Sequence, residues 1–195
     1  MRLLSLVISD FRGFYGLQQV DFAADDKKRV TVLHGENGAG KTNFLNAIHW
    51  CITGKFTPRF QDQKLLINKE AFKEGRRDCY VEILFKDEQS SGGKQYRVRR
   101  STTNEKQISF EVYEIERGNS KLVDRGESLI QLLLPPGLIS WFFFDAEAIG
   151  SLELSGSEEF KKGLRKTLGF ELIDKLLVDL DSVQAKIRRE VANQS

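Results

Sequence analysis

Cysteine is nearly absent from this 195-residue chain, with only Cys51 and Cys79 present. Two such thiols give neither a disulfide framework nor a metal-ligand spacing. Small stapled secreted scaffolds and zinc modules are thereby excluded, and a reducing, cytoplasmic setting is expected. No run of 18 apolar residues occurs, so the sequence holds no candidate membrane-spanning helix, and no membrane partner is expected. The opening "MRLLSLVISDFRGF" is apolar but is interrupted by Ser9, Asp10 and Arg12, too early for a signal peptide, and reads as a strand. An excess of one charge is lacking too. Thirty Lys and Arg against 28 Asp and Glu leave a formal charge of +2, so any nucleic-acid contact must come from local patches. What remains is an ordinary globular balance, 40% apolar and 30% charged, long enough for one domain with a real core.

Along the chain, "LLSLVI" (3–8) reads as a strand, "FRGFYG" as a turn and "LQQVDF" (17–22) as a hairpin partner. "RVTVLHG" (29–35) is a β-branched run expected to be a short strand. "KTNFLNAIHWCITG" has helical spacing, with Phe44, Ile48, Cys51 and Ile52 on one face and Gly54 as the stop. Residues 55–77 are polar and weakly patterned, which predicts a loop with at most one short helix. "CYVEILFKD", "KQYRVRRSTT" and "QISFEVYEIER" all alternate with period two, the signature of an antiparallel meander. "SLIQLLLP" predicts a short helix ended by Pro135 and Pro136, and "LISWFFFD" a buried strand ending in an acid. From about Ser157 the pattern is helical, and Ile173, Leu176, Leu180, Val183 and Ile187 form a heptad seam. Two heptads are too few for an independent coiled coil; the seam is either a terminal amphipathic helix or the root of a longer coiled coil.

The densest signal is "GENGAGKT", Gly35 to Thr42, which fits G-x-x-x-x-G-K-[ST] between a predicted strand and a predicted helix. Phosphates carry several charges in a small volume, and backbone N–H groups can surround them only where no side chain blocks the approach. Gly35, Gly38 and Gly40 supply that approach, with Asn37 and Ala39 completing the run. The helix beginning near Lys41 would aim its free N–H groups and positive dipole end at the phosphates. Lys41 would add a point charge, Thr42 a hydroxyl ligand for Mg²⁺, and Asn43 a short side chain nearby. The pattern arises by chance in about 1% of chains of this length, and the flanking elements lower that further. A nucleotide with Mg²⁺ is therefore expected here.

The element "ISDFRGFYG" followed by "GENGAGKTNFLNAIHWCITG" resembles the N-terminal half of the SMC-like ABC ATPases, the DNA-repair and chromosome-maintenance ATPases with long coiled coils. The resemblance implies an α/β P-loop NTPase lobe with an antiparallel β meander, ATP with Mg²⁺ as cofactors, and Arg12 beside the phosphates or ribose. It places the Q-loop position at "FFFDAE", where Asp145 stands in place of the usual glutamine and becomes a candidate Mg²⁺ group; its alternative is a strand-end helix cap. Glu147 has no clear role. This run is similar to DndD, the type of ATPase found in bacterial DNA phosphorothioation and phage-defence systems. "LELSGSEEF" imitates the ABC signature, but no apolar strand ending in Asp-Glu follows it; Ser155 and Gly156 read as a turn and Ser157 as a helix cap.

The family splits its head around a coiled coil, which implies an ATPase lobe over 1–156 and a helical region over 157–195 leading into a truncated coiled coil. No complete catalytic set is then present. Hydrolysis is expected to need a C-terminal half, with signature and Walker B, and a second head in a homodimer that sandwiches ATP. DNA and other subunits of a defence or repair complex are the further partners implied. Basic groups occur at Arg76 and Arg77, at Arg97 and Arg99 with Arg100 opposite, and at Lys161, Lys162, Arg165 and Lys166; each is either a phosphate contact or a solvated face. A non-hydrolysing, nucleotide-dependent dimerisation module is the alternative. A P-loop kinase or GTPase is disfavoured, since "INKE" lacks the Asp of a base-reading motif.

Overall fold

Alternation with period two decides the architecture. In the computed structural model the described residues are 1–135 except 26, 28, 58–65, 89, 91, 105 and 106, together with 139 and 180. The chain divides into two units, Met1–Pro135 and Pro136–Ser195, and the first holds nearly all of the described residues. Its strands are β1 (Arg2–Ser9), β2 (Leu17–Asp21), β3 (Asp78–Lys86), β4 (Gln95–Thr103), β5 (Gln107–Glu116) and β6 (Asn119–Leu122). They form one six-stranded sheet in the order β2-β1-β3-β4-β5-β6, with every neighbouring pair antiparallel. Three helices, α1 (Lys41–Thr53), α2 (Lys69–Lys73) and α3 (Gly126–Leu133), complete the described elements.

Register converts the alternation into a core. Leu6 pairs with Ile83, Ile83 with Val98, and Val98 with Val112, so four strands contribute one apolar row. All four side chains are at most 1% exposed. Helix α1 buries Phe44, Ala47, Ile48, Cys51 and Ile52, the face expected from its spacing. The Cys51 thiol donates to the Val81 carbonyl at 3.2 Å, placing the helix directly against β3. Desolvation there pushes the Cys51 thiol up to about 12. Helix α3 buries Ile130 and approaches β5 closely, since a Cβ on Gly126 would lie 2.7 Å from Val112 Cγ2.

The end of α1 is fixed twice. Gly54 adopts the left-handed conformation (φ 71) and its N–H closes on the Trp50 carbonyl at 2.8 Å, as a C-terminal glycine does. Arg100, on the buried face of β4, donates to the last-turn carbonyls of Cys51 (3.0 Å) and Ile52 (3.4 Å). Its guanidinium also lies 4.2 Å from the Phe110 ring centroid. Burial lowers the pKa of this arginine, and the negative end of the helix dipole supplies compensation.

Two expectations need correction. Residues 29–35 form no strand: among the described residues no strand pairs with them, and Val30 and Val32 are 78% and 80% exposed. β-Branched composition favours extended backbone but cannot supply the neighbour that makes a ladder. Strand β6 was not foreseen, because its four residues are all exposed and carry no alternation. It forms because Arg117 and Gly118 both take positive φ (48 and 84), a two-residue turn that returns the chain onto β5. Among the described residues of 55–77, the short helix α2 is the one helix, as the reading of that segment expects. The strand expected at "LISWFFFD" and the heptad seam lie outside the described residues, apart from isolated positions.

Replacing Arg100 by Ala should cost about 2 kcal/mol, because it strands two carbonyls in a buried setting. Urea unfolding measures this, and an unchanged midpoint would show that the arginine cap contributes nothing.

Candidate functional site

The loop from Gly35 to Gly40 is shaped by two left-handed glycines, Gly38 (φ 87) and Gly40 (φ 95). A Cβ built on either meets nothing within 4 Å, so glycine is required by backbone conformation and the space over the loop is open. Gly35 differs: its Cβ would sit 3.1 Å from that of Ala39, so the two small residues require each other. The Ala39 N–H bonds the Glu36 carbonyl at 3.1 Å and closes the turn. Gly40 then caps α1 with no side-chain cap bond, and no acidic residue lies in the helix's first turn. The positive end of the dipole therefore carries no counter-charge from its own helix.

Lys41 is exposed, and its ammonium donates to the Gly35 and Glu36 carbonyls at 2.5 and 2.8 Å. It curls over the loop that precedes it. Thr42 is exposed on the same first turn, while Asn43 is half-buried. Behind them Asn46, fully buried, braces the site: its Nδ2 donates to the Thr42 carbonyl (2.9 Å) and its Oδ1 accepts from both the N–H and the hydroxyl of Thr57 (3.1 and 3.0 Å). Sequence reading passed over Asn46, although a polar residue on the buried side of an amphipathic helix is a legible signal. The site thus fits an anionic, phosphate-bearing ligand: an open cradle, bare N–H groups and one cation. Thr42 offers a hydroxyl for Mg²⁺; the described residues contain no cluster of three or more His, Cys, Asp or Glu that could hold a metal.

Arg12 lies in the turn between β1 and β2 and is 7% exposed. Its guanidinium stacks 3.8 Å from the Phe56 ring centroid, beside an aromatic group in which Phe11, Trp50 and Phe56 lie 5.0 to 6.3 Å apart. Burial lowers its pKa. The next residue, Gly13, touches the loop helix: a Cβ there would lie 2.7 Å from Asn43 Nδ2. The structure therefore brings together the turn of Arg12, the glycine loop and the start of α1. Asp145 and Glu147 lie outside the described residues, as does the cluster from Lys161 to Lys166.

The described basic groups are largely engaged. Arg76 pairs with Asp10 and Glu74, and Arg77 donates to the Phe72 and Arg76 carbonyls. Arg99 lies over Tyr80 and 3.8 Å from Glu82, and Arg97 lies over Tyr113, both on the face opposite Arg100. Solvated and locally balanced charge describes them better than a phosphate-binding stripe.

Comparison with known proteins is consistent with this geometry. The family described as an AAA domain matches residues 5–194. Among curated relatives, the chain is 51% identical over 55 residues to the DNA replication and repair protein RecF of an Anaeromyxobacter species, covering 28% of this chain and 14% of that one. It is 33% identical over 100 residues to the DNA double-strand break repair Rad50 ATPase of Thermoplasma volcanium, covering 51% of this chain and 10% of that protein. It is 40% identical over 55 residues to RecF of Chlorobium luteolum, at 28% and 14% coverage. The chain thus spans only a small fraction of the length of the relatives it matches.

Gly40→Ala should destabilise the fold by about 1–2 kcal/mol, the penalty of a Cβ in left-handed backbone. Denaturant unfolding checks this, and an unaltered stability would mean that the loop can relax away from its described shape.

Proposed function

The chain belongs to the AAA domain family, within the SMC-like ABC ATPases, and from that premise we propose that it binds ATP with Mg²⁺ between Gly35 and Thr42 as the N-terminal half of a DNA-acting ATPase head. The observation that carries this is the loop itself: two left-handed glycines leading into a helix whose first turn has neither a side-chain cap nor an acid. Gly35, Asn37, Gly38 and Gly40 wrap the phosphates with backbone N–H groups, while Ala39, whose own N–H closes the turn on Glu36, keeps the wrap free of a bulky side chain. Lys41 turns from its loop carbonyls to the terminal phosphates, Thr42 ligates Mg²⁺, and Asn43 and Arg12 flank the nucleotide. Asp145 is assigned a place in the metal's shell, where its carboxylate would add charge that the usual glutamine does not.

Hydrolysis is assigned to a complete head, made with a C-terminal half and closed against a second copy over the nucleotide. The exposed run Val30, Val32 and Leu33 supports this, because β-branched residues that form no strand here would gain one, and cover, from neighbours that a C-terminal half supplies. The family boundary at 156, with a helical arm over 157–195, belongs to the same proposal. DNA as a partner is supported by the relatives' names, a replication and repair protein and a double-strand break repair ATPase. The finer assignment, a DndD-like role in phosphorothioation or phage defence within a larger complex, rests on the resemblance of the run Phe142 to Glu147 and of the tail "EEFKKGLRKTLGFELIDKLLVDLDSV". A cytoplasmic setting is part of the proposal; among the described residues no helix is long and apolar enough to cross a membrane.

Lys41→Ala should weaken MgATP binding by at least about tenfold in calorimetry, the size of a lost charge-assisted contact. Unchanged affinity would overturn the nucleotide reading. Adding the C-terminal half of the same head should raise ATP turnover by orders of magnitude over this chain alone. Turnover by the chain alone at the rate of an intact head would overturn the split-head assignment, while nucleotide-dependent dimerisation without turnover would favour a non-hydrolysing module.

A further inference from the structure

The turn between β1 and β2 is held in a conformation its residues do not favour. Asp10 (φ 47) and Arg12 (φ 52) both occupy the left-handed region although each carries a Cβ. Such backbone persists only where the surroundings over-determine it. Here they do. The Asp10 N–H bonds the Gly16 carbonyl at 3.1 Å, and Asp10 Oδ1 accepts the Gly16 N–H at 2.7 Å. From the segment before α2, the Leu66 carbonyl accepts the Arg12 N–H (2.8 Å), while Asn68 donates its N–H to the Asp10 carbonyl (2.7 Å) and its Nδ2 to that of Arg12 (2.6 Å). From the segment after α2, Arg76 Nη1 reaches both carboxylate oxygens of Asp10 at 3.0 Å, and Nη2 reaches Glu74 (2.8 Å) and the Tyr15 hydroxyl (3.1 Å).

An ordinary surface ion pair contributes little. This one differs in three respects. Nη1 alone straddles both Asp10 oxygens while Nη2 is tied to Glu74 and Tyr15, Asp10's side chain is only 10% exposed, and the carboxylate sits on strained backbone. What the turn presents is Arg12, buried on Phe56, and Gly13, pressed against Asn43 one residue after Thr42. We propose that Arg76 is a positioning residue for nucleotide binding: bridging Asp10 to Glu74 and Tyr15, it holds the 10–16 turn in the left-handed shape that sets Gly13 against Asn43 in the first turn of α1 and fixes the Arg12 guanidinium on Phe56. This rests on the nucleotide reading of the loop, and assigns to Arg76 a role in that site in place of a DNA contact. Arg76 acts through the turn, so its contribution depends on Arg12 being there to be positioned.

A double-mutant cycle on the 195-residue chain tests this, with MgATP affinity read by calorimetry and folding checked by circular dichroism. Arg76→Gln should weaken binding about fivefold, and Arg76→Lys, which keeps the charge but not the second nitrogen that ties Asp10 to Glu74 and Tyr15, about twofold to threefold. In an Arg12→Ala background the further loss from either change should fall below about 1.5-fold. Losses that multiply independently, an Arg76 variant that binds as tightly as the parent, or an Arg12→Ala chain with undiminished affinity would each overturn the proposal. Should Arg76→Gln fail to fold, the Arg76→Lys arm carries the same comparison. A parent chain that binds no MgATP, or whose affinity ignores Lys41→Ala, would bring down the nucleotide reading and this inference together. Lys41-dependent binding without Arg12–Arg76 coupling would bring down the inference alone.

Discussion

A helix that must keep its N-terminus bare has to be held from somewhere else, and that constraint organises this domain. The first turn of α1 has no cap and no acid, and its residues Lys41 and Thr42 are exposed. Everything that fixes the helix lies further along: Phe44 to Ile52 against the sheet, the Cys51 thiol on Val81, Gly54 in its left-handed stop, and Arg100 on the final carbonyls. The apolar row from Leu6 to Val112 is the floor for this packing. Burying Phe44, Ile48, Trp50 and Ile52, with the smaller Ala47 and Cys51, contributes on the order of 10 kcal/mol, against a few tenths of a kcal/mol forgone where Gly40 stands in place of a side-chain cap. The helix can therefore leave its most reactive end unsatisfied without losing its place.

The same division appears in the turn that carries Arg12. Its two left-handed residues are costly, and the cost is met outside the site, by Asn68 and Leu66 on one side and Arg76 on the other. The left-handed turn and the start of α1 thus meet where Gly13 faces Asn43, and the contacts that hold each of them come from other segments. The β meander, remote from the loop in sequence, takes part through Arg100, which joins β4 to the far end of the helix that bears Lys41.

How much of this the sequence reveals depends on the range of each interaction. Period-two alternation in β3, β4 and β5 and helical spacing in α1 are local, and each is legible. The glycine loop is legible because its geometry is imposed by residue type alone: only glycine accepts the φ values of Gly38 and Gly40 readily. The run 29–35 misleads, since β-branched residues report a preference and not a partner. Strand β6 is hidden for the opposite reason: nothing in "NSKL" prefers a ladder, and a two-residue turn imposes it. The Asp10–Arg76 pair joins residues 66 positions apart and has no periodic signature, so Arg76 reads from sequence only as part of a basic cluster.

Electrostatics gives the site its direction. Both ends of α1 carry a cation, but they are not equivalent. Arg100 at the C-terminal end meets the negative pole and two carbonyls, a stable arrangement in a buried setting. Lys41 at the N-terminal end stands with the positive pole, where a cation raises the energy of the helix. Among the described residues its ammonium is relieved by the carbonyls of Gly35 and Glu36, drawn from the loop that precedes it. A bound anion answers the dipole, the bare N–H groups and the ammonium at once, and a neutral or cationic ligand answers none of them. The dipole end of α1 and the Lys41 ammonium thus favour an anion at this loop on physical grounds that stand apart from any family resemblance.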